Sequence, residues 1–128
     1  MSADTTNWTE LREFNAVDLT QSFILSWGIE VGSLLIDVDL FLCPDHAFYE
    51  EPRPAEKACY RAALIEFPHC EEASDSASAG RLADSIRRLR PGKINGLKRR
   101  GEGRYELRGE FGSVVIRAER PIVRLKSL

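Results

Sequence analysis

"SLLIDVDLFLCPDH", residues 33–46, decides how the chain folds. Leu34, Ile36, Val38, Leu40 and Leu42 recur at every second position, and Leu35, Asp37, Asp39 and Phe41 fall between them. A period of two belongs to an extended strand, whose successive side chains point to opposite faces. Five aliphatics in one row mark the core side. Asp37 and Asp39 then point away from it, where water or a basic neighbour on the next strand satisfies ionised carboxylates. Pro44 lacks the N–H that a ladder requires and ends the strand. After it, "PDHAFYEEPRP" reads as a polar, proline-punctuated loop that runs over the surface.

Working upstream, "IEVGS" supplies a reversal flanked by Gly28 and Gly32. Before it, Phe23, Leu25 and Trp27 alternate with Ser22 and Ser26, Ile24 being the exception, which predicts a strand with those three residues as its apolar side. Asn7 and Glu10 have the spacing of a capping box, so a helix of about two turns is expected there, with Trp8, Leu11 and Phe14 on one side. Downstream, "KACYRAALIEF" (57–67) is a strand with Cys59, Ala63, Ile65 and Phe67 on one face and a largely apolar second face, as for a central strand. "PHCEEASDSASAG" reads as a loose connection. Leu82, Ile86 and Leu89 follow at helical spacing, with Asp84 placed to pair with Arg88 and Pro91-Gly92 closing the helix. The C-terminal third, with glycine-containing turns between Ile94–Arg100, Arg104–Arg108 and Ser113–Ala118, reads as a meander ending in a strand with Val123 and Leu125 inward. The expected fold is mainly β (α+β). It is an antiparallel sheet of about seven strands, forming a sandwich or partly open barrel with one or two short helices.

The 128 residues suit a single domain, 1–128, able to bury about two-thirds of its unfolded surface. No apolar run approaches the roughly 20 residues of a bilayer span, so no membrane is expected. The N-terminal stretch has neither a basic start nor an apolar core, and Cys43, Cys59 and Cys70 form an odd, sparse set. Both features point to a cytoplasmic chain with reduced thiols. The net charge of −2 conceals a polarity: residues 1–80 carry four Lys/Arg against 15 Asp/Glu, whereas residues 81–128 carry 14 against five. Two sets of strands that neutralise each other within one sheet give this pattern, as does a basic surface for an anionic partner.

Candidate chemistry is sparse. Asp37 and Asp39, at i and i+2, stand about 7 Å apart, the spacing of a glycosidase pair, but nothing in the sequence supplies a sugar-sized cleft. Cys43, Asp45 and His46, with His69 and Cys70, are the only soft-ligand cluster. The adjacent His69 and Cys70 diverge on an extended backbone, so no metal is expected. The same residues make a poor thiol nucleophile, since neighbouring acids raise a thiol pKa. No cofactor motif is present. "IRRLRPGKINGLKRR" (86–100) forms a basic patch of Arg87, Arg88, Arg90, Lys93, Lys98, Arg99 and Arg100, but with few aromatics near it nucleic acid is not the favoured partner. On the acidic side, Phe48, Tyr49, Glu50, Glu51 and Tyr60 combine aromatic area with charge, as protein interfaces do. The sequence thus predicts a small cytoplasmic, non-enzymatic binding or interaction module with a protein partner or self-association. The alternative is a ligand-binding or enzymatic barrel with its site at the open end near Asp37, Asp39, Cys43 and His46.

Overall fold

The computed structural model describes residues 5–52, 54–55, 58–75 and 81–126. Among the described residues nine strands make one antiparallel sheet: β1 (Thr5–Asn7), β2 (Val17–Glu30), β3 (Ser33–Leu42), β4 (Tyr60–Phe67), β5 (Glu72–Asp75), β6 (Gly92–Arg100), β7 (Arg104–Gly109), β8 (Gly112–Arg117) and β9 (Ile122–Leu125). Their order is β5-β8-β7-β6-β2-β3-β4-β9, with β1 pairing the distal end of β6. The mainly antiparallel β expectation holds, with nine strands instead of about seven. β1 and β5, of three and four residues, are too short to display a period. Among the described residues no helix is long and apolar enough to cross a membrane.

The helix expected after Asn7 is replaced. Pairing with β6 draws Thr5–Asn7 into a strand, the Asn7 side chain caps nothing, and two 3₁₀ turns follow, Trp8–Glu10 and Arg12–Phe14. They bury Leu11 and Phe14. The second expected helix is present as α1 (Leu82–Arg87), which buries Ile86. Among the described residues its Asp84 pairs with Arg87 at 4.0 Å and not with the expected Arg88. Part of the loose connection is β5, and residues 76–80 lie outside the described residues.

The sheet wraps round its core. β4 and β5 stand near opposite edges, yet only residues 68–71 join them, a link spanning less than about 19 Å. Phe67 of β4 accordingly meets Tyr105 of β7 edge-on, with ring centroids 5.2 Å apart. α1 packs on β5 and β2, and the second 3₁₀ turn packs on β2 and on β9. Leu34, Ile36, Val38, Leu40 and Leu42 are 0–1% exposed and form the centre of one hydrophobic core, as the opening alternation requires. Each such burial stabilises by about 1.5–3 kcal/mol.

β2 departs from the sequence reading. Its register against β3 slips between Asp18 and Phe23 and again between Ile24 and Ser26. Each inserted stretch changes which face the following residues occupy. Ser22 and Ile24 are therefore buried, while Phe23 (37% exposed) and Leu25 (56%) face out; Trp27 returns to the inner side opposite Ile36. At the first slip Ser22 Oγ stands in for the missing ladder: it accepts from the Phe41 N–H (3.0 Å) and donates to the Asp18 carbonyl (2.8 Å). The β2–β3 hairpin turns at Val31 and Gly32, both at positive φ (49° and 79°).

Candidate functional site

Because β2 turns its apolar residues outward, the outer face of β2, β3 and β4 carries an aromatic ledge. Phe23 sits opposite Asp39, which sits opposite Ala62; Phe41 sits opposite Tyr60. The Tyr60 ring meets Phe41 edge-on (centroids 5.5 Å) and Phe23 at a tilt (6.2 Å). Leu25, at the second slip, extends the ledge.

The two acids on this face have opposite environments. Asp37 accepts from Lys126 Nζ and from Ser26 Oγ (2.9 Å), and the Lys126 bond holds its carboxyl below the ordinary value. Asp39 has no hydrogen-bond or ion-pair partner among the described residues, and burial by its apolar neighbours raises its pKa. A carboxylate that is partly desolvated and unpaired is costly to the isolated chain and available to an incoming cation.

Of the residues singled out by sequence, Tyr60 belongs to this ledge. Tyr49 packs partly against the core, Glu50 and Glu51 are exposed, and Phe48 is exposed on the loop, where its N–H donates to His46 Nδ1 (3.0 Å). Asp37, Asp39, Cys43 and His46 do not converge: the acids face outward, whereas His46 lines a cleft beside β9. Among the described residues no three His, Cys, Asp or Glu side chains gather in metal-binding geometry. Burial, with Asp18 and Asp45 nearby, raises the Cys43 thiol; burial pushes Cys70 to about 11. His69 pairs with Glu119 at 3.2 Å.

The basic patch is spread out. Arg87 and Arg88 lie on or just after α1, and Arg90 follows in the connection to β6; the others are distributed along β6. Arg100 pairs with Glu106, and Arg99 stands opposite the buried Tyr105. Tyr105 Oη is buried beside Arg99, and burial raises the Tyr105 phenol above its ordinary range.

Sequence reasoning missed Phe23, Leu25 and Arg61. Ile24 as the exception to the β2 alternation was the available signal for the first two, since apolar residues at three successive positions cannot all face one core. Arg61 is an arginine on the inward row of β4, between Cys59 and Ala63, with its Nε buried and unbonded. Such a stranded donor costs about 1–3 kcal/mol. In comparisons with known proteins the chain matches no family model, no curated protein and no solved structure.

Proposed function

We propose that the chain is a non-enzymatic protein-interaction module that docks a partner on the outer face of β2, β3 and β4. The supporting observation is the outward placement of Phe23 and Leu25 beside Phe41 and Tyr60, on a sheet whose inner face already holds the core. Apolar side chains left in water on a strand favour association, by about 1–2 kcal/mol for each one covered. Asp39 sets the partner's chemistry: a Lys or Arg within an apolar patch, forming a charge-assisted hydrogen bond with a carboxylate that has none at present. A second copy docked by the same face about an axis near Asp39 brings two such carboxylates together, which disfavours a symmetric self-pair. The dispersed basic residues favour a protein over a nucleic acid, and three free thiols suit the reducing cytoplasm.

The test uses the full chain as bait, compared with Leu25→Lys and Asp39→Lys by quantitative mass spectrometry. A protein enriched by the wild-type chain should fall about tenfold with either variant and be retained by Asp39→Glu. Equal enrichment by wild type and both Lys variants rejects this face as the docking surface.

A further inference from the structure

Among the described residues β9 is the last strand of the sheet and pairs only with β4. The Lys126 N–H donates to the Ala62 carbonyl (2.9 Å), and alternate residues of a strand aim their backbone groups the same way. Arg124 therefore also faces β4, whereas the N–H and C=O groups of Val123 and Leu125 face the open edge. No backbone group pairs with them there among the described residues. A cleft of about 570 Å³ follows this edge, with Val123, Arg124, Leu125 and Lys126 all lining it. Four successive residues of a strand point to alternating faces, so what they share with the cleft is the backbone edge itself.

Charge specifies the occupant. Glu13, Arg61, Arg124 and Lys126 all line the cleft. Glu13 is held by Arg120 (2.6 and 2.9 Å), Arg124 by Glu66 (3.2 Å) and Lys126 by Asp37. Arg61 has no carboxylate partner among the described residues; its only bond is a long one from Nη1 to the Phe48 carbonyl (3.4 Å), and its Nε is buried and unbonded. The one charge here without an opposite is thus a half-buried guanidinium on the inner side of the sheet, in the same row as Ala63, whose partner on β9 is Leu125.

We propose that the β9 edge takes up an extended acidic segment of a partner protein as a tenth strand, with a carboxylate of that segment received by Arg61. The added strand lies two strand spacings from β4, about 10 Å, which an extended Arg and a Glu bridge together. Backbone bonds to Val123 and Leu125 supply affinity and the guanidinium supplies selectivity for a planar anion, as in other strand-addition modes. This site is separate from the outer-face ledge and stands or falls without it.

The experiment titrates isotopically labelled full chain with acetyl-Thr-Val-Glu-Val-Thr-amide, its Glu→Lys analogue, an analogue N-methylated at alternate residues, and octanoate, followed by NMR. The Glu peptide should give saturable shifts at the Val123 and Leu125 amides and slow their hydrogen exchange. It should bind about tenfold more tightly than the Lys and N-methylated peptides. Arg61→Gln should remove that preference for Glu over Lys. Should that variant not fold, Val123→Pro, which deletes only an edge-facing N–H, should weaken the Glu peptide by about tenfold. The proposal is overturned by an absence of saturable shifts at the two amides, by equal binding of the Glu and Lys peptides, or by octanoate binding as tightly as the peptide.

Discussion

Ser22 offers a direct test of the claim that a side chain replaces the ladder where β2 slips. It is fully buried, and its Oγ holds both the Phe41 N–H and the Asp18 carbonyl. Ser22→Ala keeps the shape of the site within one atom while leaving a donor and an acceptor without partners. At about 1–2 kcal/mol for each stranded group, the loss should be about 2–4 kcal/mol. That is a large part of the stability of an ordinary domain and corresponds to a fall in Tm of roughly 10 °C. Ser22→Thr and Ser22→Val separate hydroxyl from volume: both add similar bulk, and only Thr retains the oxygen. Urea unfolding at constant m-value should place Val about 2 kcal/mol below Thr. If Ser22→Ala lies within about 0.5 kcal/mol of wild type, or Val and Thr coincide, water or a relaxed backbone satisfies these groups and the bridge is not what fixes the outward turn of Phe23.

Arg120→Ala should cost about 1 kcal/mol at neutral pH, a value discounted for the half-open guanidinium. Because the Arg120 hydrogen bond lowers the Glu13 pKa, this stability is present above the ordinary Glu value near 4.3 and is lost as the pH falls through the lowered folded value. Urea midpoints of wild type and variant should converge in acid, and a constant gap refutes the assignment. Val31 is 98% exposed with φ of 49°, so Val31→Asn should raise stability by about 1 kcal/mol in thermal unfolding; an unchanged or lower Tm counts against turn strain. The folded chain's thiols should react with a disulfide reagent at pH 8 far more slowly than free cysteine, with Cys70, at about 11, unreactive until urea is added. Rapid modification of Cys70 would contradict its burial.

Legibility in the sequence followed burial. The alternation in β3 could be read because one row is wholly inside and the other half-wet, and β4 for the same reason. The meander could be read from its glycines: Gly101, Gly103 and Gly112 do take positive φ. β1 and β5 were invisible because their pairing with β6 and β8, not their composition, makes them strands. The phase of β2 was misread because it depends on a bond between Ser22 and Phe41, nineteen residues apart. Of the candidate site, Tyr60 and the exposure of Phe48 and Glu50 were legible from local composition. The ledge and the unpaired Arg61 arise only when four strands stand side by side. Positions where local pattern and global fold disagree are where functional surfaces are often found, and here they coincide with the outward Phe23 and Leu25.

The interleaving of strands has a consequence for the chain cut in two. β1, β2, β4 and β5 from the acidic part pair with β6, β9 and β8 from the basic part, and Glu13, Glu66 and Asp37 each meet a cation from beyond residue 118. Halves divided between Asp75 and Arg81 would each lack the neighbours needed to finish a sheet and would carry strongly opposite charge. Attraction between the two pieces should therefore speed their recombination in dilute buffer and slow it in concentrated salt.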